Sequence, residues 1–252
     1  MLKKTDLILV AGATGGVGQL VIAKLLSKNL CVRALSRSRN KARQMFGEAV
    51  EIAVGDLRYQ ETLATATKNV THIICCSGTT AFPSQRWDFL NWFVAKNTPR
   101  AVDGSGVKNL VAAAPENLKR FVLISSCGVL RKERFPFKVL NAFGILDAKL
   151  EAEAAIKASQ LPYTIIRPGR LIDGPYTSYD LNSLLRAKTE GKKAVVIGTG
   201  DTLNGESSRI DVAQVCVECL NYQVTVGKAF ELINYGKRPA VTDWEQLWAQ
   251  IG

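Results

Sequence analysis

The chain has 252 residues, 47% of them hydrophobic, enough to bury a full core as one large α/β domain. Its net charge of +11, from 33 Lys and Arg against 22 Asp and Glu, admits an anionic ligand, nucleic acid or an anionic membrane surface. No recognition-helix or RNA-binding aromatic signature accompanies that charge, so nucleic acid is not expected, and the apolar runs are too short for an integral membrane segment.

The first element predicted is a strand over Leu7-Ile8-Leu9-Val10-Ala11, apolar enough to be buried on both faces. The chain enters it almost at once, so no signal or transit peptide is expected. Gly12, Gly15 and Gly18 follow at three-residue spacing within Gly12-Ala13-Thr14-Gly15-Gly16-Val17-Gly18, and a helix-like run begins there. Strand, tight glycine turn and helix start form the geometry that binds a pyrophosphate. Gly12 permits the sharp turn, Gly15 the approach of backbone to phosphate, and Gly18 close helix–strand packing. The helix N-terminus offers free N–H groups and positive dipole to the anion.

The second strand, Leu30 to Ser36, ends about 20 residues further on, where an NAD-specific site holds a carboxylate against the ribose 2′-hydroxyl. No Asp or Glu occurs between Asp6 and Glu48; the chain reads Ser36-Arg37-Ser38-Arg39-Asn40-Lys41 instead. A guanidinium pairs with a 2′-phosphate and a hydroxyl donates to it, so Arg37, helped by Ser36 and Lys41, is expected to select NADP(H).

A third strand over 50–54 ends in Gly55-Asp56-Leu57, and a helix is predicted over 59–68. Strand four, His72 to Cys76, ends in Ser77-Gly78-Thr79. An aromatic excursion over 80–97 precedes a helix near 98–114. Strand five is 121–124, a helix covers 145–159, and strand six is 163–167. This alternation predicts a Rossmann-type, doubly wound parallel sheet. After Pro168-Gly169 the pattern loosens into short helices, apolar runs at 195–197 and 229–233, and a closing helix near 241–250. The expectation is one domain over 1–252, with a core over about 1–168 and a small substrate-side lobe over about 169–252.

Six cysteines (31, 75, 76, 127, 216 and 219) lie mostly in apolar patterns and suggest a reducing compartment without a disulfide framework. Cys216 and Cys219 form a CxxC on a predicted amphipathic helix; with one histidine and no second pair, core thiols are expected rather than zinc. The basic run Arg131-Lys132-Glu133-Arg134…Lys138 reads as a solvated loop, with an acidic substrate or anionic partner surface as the alternative.

Ligands of such sheets bind outside the carboxyl ends of the strands. There Asp56 is placed to accept from an adenine amine while Leu57 covers the ring. Cys76, Ser77 and Gly78 follow strand four, Ser125, Ser126 and Cys127 strand five, and Pro168, Gly169 and Arg170 strand six.

The glycine motif, Gly55-Asp56-Leu57, Val102-Asp103-Gly104-Ser105-Gly106-Val107-Lys108-Asn109, Leu123-Ile124-Ser125-Ser126, Tyr163 to Gly169 and Arg209-Ile210-Asp211-Val212-Ala213 together resemble an atypical short-chain dehydrogenase/reductase of the NmrA-like, NAD(P)-binding type. The chain is similar to cyanobacterial and plastid members and to the flavin reductase/biliverdin reductase B branch. The resemblance implies cofactor contacts from Gly12, Thr14, Gly15, Gly16, Val17, Gly18, Ser125, Pro168 and Gly169. It also implies that Lys149 binds the nicotinamide ribose and that Ser126 stands beside the nicotinamide. A cytoplasmic location is expected, or a stroma-like one if the source is a photosynthetic eukaryote.

One departure carries mechanistic weight. Reductases of this superfamily use Tyr-x-x-x-Lys, with the phenol as proton donor; here Lys149 matches the Lys, but Ile145 stands four residues earlier. Loss of a general acid typically costs 10²–10⁴-fold in ketone reduction. Two readings follow. One is a reductase passing hydride to a planar acceptor such as a flavin or a biliverdin-like tetrapyrrole, with Ser126 and Lys149 as catalytic residues and Phe82, Trp87, Arg170 and Tyr176 meeting the acceptor. The other is a non-catalytic NADPH-binding sensor, scaffold or assembly factor with a protein partner on the 80–97 segment.

Overall fold

The computed structural model describes residues 2–79, 97–172 and 193–252. Its frame is an eight-stranded sheet in the order β3-β2-β1-β4-β5-β6-β10-β8. The strands are β1 (Leu7–Ala11), β2 (Cys31–Ser36), β3 (Glu51–Val54), β4 (His72–Cys75), β5 (Arg120–Ile124), β6 (Tyr163–Pro168), β8 (Lys193–Gly198) and β10 (Lys228–Lys237). All neighbours pair in parallel except β8, which runs antiparallel to β10. Two further strands, β7 (Arg170–Ile172) and β9 (Glu206–Ser208), pair separately.

The alternation of side chains along each strand divides the core into two layers. Ile8 and Val10 join one apolar cluster with α1 (Gly18–Ser27), α2 (Arg39–Phe46), α7 (Arg209–Glu218) and Trp248 of α8 (Trp244–Trp248). Leu9 and Ala11 join the other with α3 (Ala64–Thr67), α4 (Gly106–Ala112) and α6 (Ile145–Ala158). A short helix, α5 (Phe137–Leu140), lies between β5 and α6. Strands buried on both faces explain the near-continuous apolar runs of the sequence.

Three expectations change. The helix predicted over 59–68 is a 3₁₀ turn, Gln60–Thr62, followed by the four residues of α3. The helix near 98–114 begins as a π-turn, Arg100–Ser105, before α4. The stretch 169–252 is not a loose lobe appended at 168: the run 229–233 pairs with β6 from Lys228↔Thr164 to Leu232↔Pro168, and 195–197 pairs with β10. Phe230, Leu232 and Ile197 are buried there, so the sheet core continues well past Pro168. Cys216 and Cys219 sit in α7 and the 3₁₀ turn after it as free, buried thiols.

His72, on β4, is a buried imidazole whose Nδ1 lies 2.8 Å from the Thr71 hydroxyl. Burial, opposed by the Asp6 carboxylate and aided by the Lys119 and Arg120 charges, lowers its pKa to about 4. The unfolded chain takes up this proton near pH 6.5 and the native state only near pH 4, so His72 makes stability rise with pH across that window. About 3 kcal/mol is expected to be lost as pH falls from 6.5 to 4. Urea unfolding at neutral pH and near pH 4.5 checks this: His72→Asn should flatten the fall in stability, and an unchanged slope would assign it to other groups.

Candidate functional site

The turn after β1 is the tightest part of the fold. Gly12 has φ +74°, and a Cβ built on it would stand 2.7 Å from the Ser77 nitrogen at the end of β4. A Cβ on Gly18 would overlap the Gly12 carbonyl oxygen, so α1 starts directly against the turn. The Gly15 amide donates to the Gly12 carbonyl at 2.9 Å and closes the loop. Helix α1 opens at Val17 with no side-chain cap and no acidic residue in its first turn. An N-terminus without a side-chain cap or an acidic first turn suits an outside anion.

A cleft of about 400 Å³ opens above this turn at the carboxyl ends of β1 to β4. Gly12, Thr14 and Gly15 form its floor; Ser36, Arg37 and Lys41 line it beyond β2, Asp56 and Leu57 beyond β3, and Cys76, Ser77 and Gly78 beyond β4. Residues from four separate strand ends thus meet where the sequence places them. Gly16, Val17 and Gly18 belong to the turn and helix start behind the lining.

Several of these groups have partners. Arg37 is exposed, and its Nη1 donates to Asn97 Oδ1 at 2.9 Å. The Ser36 hydroxyl donates to the Ser38 carbonyl at 3.0 Å and accepts from the Ser38 amide, so it shapes the loop that carries Arg37. The Asp56 carboxylate accepts from Arg58 Nη2 at 2.5 Å and from Nε at 3.0 and 3.1 Å. Burial alone raises the Asp56 carboxyl, but the Arg58 hydrogen bonds outweigh it and hold the group below the ordinary carboxylate value. Burial pushes the Cys76 thiol well above its usual range where it lines the cleft.

Lys149 projects from α6 toward the same cleft. Its Nζ lies 2.9 Å from Asp103 Oδ1 and 3.5 Å from the Ile124 carbonyl oxygen. Asp103 is buried on the π-turn, and its Oδ2 accepts from the Thr79 amide at 3.0 Å and the Thr79 hydroxyl at 2.7 Å. A Cβ on Gly78 would stand 3.3 Å from Asp103 Oδ1 and 3.7 Å from Lys149 Nζ, which places the pair directly behind the Gly78 wall. Asp103, Thr79 and Asn97 were not singled out by the sequence reading. Asp103 stands in the motif Val102 to Asn109, but its contact with Lys149 depends on the π-turn, which the motif does not encode.

The remaining expected site residues make contacts of their own. The buried Ser125 hydroxyl donates to Glu153 Oε1 at 2.6 Å, within an internal pair that Glu153 makes with Arg167 (2.6 Å), and does not line the cleft. Ser126 donates to the Cys127 carbonyl at 3.0 Å. Pro168 ends β6 in the core, and Gly169 is needed because a Cβ there would collide with the Gly205 backbone; neither lines the cleft. Arg170 is exposed and paired with Glu206 on β9. Phe82, Trp87 and Tyr176, with the 80–96 part of the expected partner segment, lie outside the described residues.

The glycine cradle, the uncapped helix and the cation beyond β2 fit a nicotinamide dinucleotide. The comparisons agree. The sequence pattern of the NAD(P)H-binding family matches residues 12–223, and the chain belongs to that family. The chain is 31% identical over 270 residues to protein TIC 62, chloroplastic, of Pisum sativum, covering 99% of this chain and 46% of that protein. The chain therefore spans less than half the length of that relative. Sanguinarine reductase of Eschscholzia californica is 28% identical over 284 residues, covering 97% of this chain and 95% of the reductase. Among solved structures, ChuY, an anaerobillin reductase of Escherichia coli O157:H7, shares the fold with a TM-score of 0.70 at 23% identity, covering 93% of this chain and 100% of that one.

Two substitutions test the site. Arg37→Ala is expected to weaken NADPH binding roughly ten- to hundredfold, the worth of a charge-assisted pair, with little change for NADH. Titration of both cofactors reads this, and equal losses would remove Arg37 as the discriminator. Lys149→Ala should raise the Kd for NADPH about tenfold; an unchanged Kd would take Lys149 out of the binding site.

Proposed function

We propose that the protein is an NADPH-dependent reductase that passes hydride to a planar acceptor, a flavin or a biliverdin-like tetrapyrrole, without a phenolic acid of its own. The observation that carries this reading is the environment of Ile145. It is buried with Val129, Phe137 and Leu146 in a small apolar cluster, one turn before Lys149 on α6. The position that would hold the phenol therefore belongs to packing, while Lys149 keeps its place behind the cleft wall.

The bound reduced nicotinamide supplies the hydride. The chain's own residues do the positioning. The α1 N-terminus holds the pyrophosphate, and Arg37 meets the 2′-phosphate. Lys149, held by Asp103, meets the nicotinamide ribose, and its charge favours electron-rich oxygen near the reacting ring. An extended electron-poor ring stacked on the nicotinamide accepts hydride by proximity and takes its proton from water. A simple ketone needs a proton delivered to its oxygen, which no group at position 145 provides. The full-length likeness to a protein named as a reductase favours catalysis over binding alone. The plant relatives named chloroplastic favour a stroma-like compartment when the source is a photosynthetic eukaryote.

A second reading, a non-catalytic NADPH-binding sensor or assembly factor, draws on the Ser126 hydroxyl, which is turned to the Cys127 carbonyl. One assay separates the two. NADPH oxidation is followed with FMN, FAD, riboflavin and biliverdin, beside a panel of simple ketones. Turnover with a flavin or bilin and none with ketones is expected; tight NADPH binding with no turnover on any acceptor would favour the sensor. Ser126→Ala should slow hydride transfer and leave NADPH affinity alone, and an unaffected single-turnover rate would make Ser126 a bystander.

A further inference from the structure

The segment between β5 and α6 exposes an apolar surface that neither the fold nor the cleft uses. Phe135 keeps 86% of its surface in water, Val139 54% and Leu130 53%, with Leu140 also exposed beside them. The segment is firmly anchored from below. Val129 and Phe137 pack with Ile145 and Leu146, and the Arg131 guanidinium lies 4.6 Å from the centre of the Phe137 ring. Arg131 also donates to the Leu203 carbonyl at 2.7 Å and sits 3.4 Å from the buried Asp201 carboxylate. That carboxylate accepts from the Gly128 and Leu130 amides at 2.7 Å each. Lys132 is tied to Asp147.

A floor this well fixed would ordinarily carry a polar roof. Here Arg131 faces the buried Asp201 and Lys132 pairs with the exposed Asp147, while Arg134 and Lys138 are exposed next to Phe135 and Val139 in the chain. Neither has an ion pair among the described residues, and Glu133 is the one acid in the run 130–143.

We propose that residues 130–140 dock the protein on an anionic lipid bilayer, with Phe135, Val139 and Leu130 entering the interfacial layer and Arg134 and Lys138 meeting lipid phosphates. A side chain as exposed as Phe135 projects from the body, and a bilayer takes up projecting apolar tips without a matching pocket. Flanking cations next to them add attraction to anionic headgroups, reinforced by the net charge of +11. A second copy of this chain is a poorer occupant, because face-to-face contact would set Arg134 and Lys138 against their own duplicates.

Co-sedimentation of the intact protein with vesicles tests this. Pure phosphatidylcholine vesicles are compared with vesicles containing about 30% phosphatidylglycerol at low salt. At least about tenfold more protein should pellet with the anionic vesicles, and about 0.5 M salt should release most of it. Phe135→Ser/Val139→Ser and Arg134→Glu/Lys138→Glu should each reduce binding to the level of the neutral vesicles. Both should keep the wild-type Tm and NADPH affinity, since neither pair touches the core or the cleft. Equal pelleting with both vesicle types, no pelleting with anionic vesicles, or variants that pellet like the wild type would overturn the proposal. So would a concentration-dependent dimer that the variants abolish while vesicle binding is absent.

Discussion

The contact between the Gly12 turn, the first turn of α1 and the end of β4 sets the geometry on which the site rests. Backbone meets backbone here: a Cβ at Gly12 would press on Ser77, and one at Gly18 on the Gly12 carbonyl. Because α1 abuts the turn, its N-terminus, which carries no side-chain cap, stands directly against the Gly12 loop. Because β4 abuts the same turn, Cys76, Ser77 and Gly78 become the adjoining wall. A side chain at either glycine would part helix from strand, and the anion site and the wall would be lost together.

From that wall the structure extends to the part that gives the protein its chemical character. Gly78 leaves room behind it for the Lys149–Asp103 pair, and Thr79, the next residue, fixes the far oxygen of Asp103. The π-turn that aims Asp103 and the helix that carries Lys149 meet only because β4 and β5 are neighbours in the sheet. Removing one partner of such a buried pair strands the other's charge. Lys149 is thus held in place by the fold itself. What the fold does not supply is the phenol one turn earlier, where Ile145 closes the apolar floor beneath residues 129–137. The same residue therefore supports the exposed segment.

Much of this was legible in the sequence, for identifiable reasons. β1, β4, β5 and β6 are largely apolar runs buried along almost their whole length, and each is followed by the polar or glycine residues a site loop needs, so strand ends and cleft lining could be read together. Arg37 was legible through an absence, the lack of any acid between Asp6 and Glu48. Other features depend on tertiary pairing. The runs 195–197 and 229–233 are short, and nothing local distinguishes a lobe from strands that pair with β6 and with each other. Ser125 and Gly169 follow strands as site residues do, yet one hydroxyl turns inward to Glu153 and the other residue yields to the Gly205 backbone. Adjacency to a strand end shows where a loop lies, not which way its side chains face.

The central claim is that reduction proceeds here by placement of cofactor and acceptor, with the proton drawn from water. The most direct test is the pH dependence of single-turnover hydride transfer from NADPH, and from its 4-deuterated form, to the best flavin or bilin acceptor. The account predicts a primary isotope effect and a transfer rate nearly flat between about pH 6 and 9, because no protein acid titrates in the step. A rate that falls about tenfold per pH unit above a single pKa within that range would reveal a protein proton donor and contradict it.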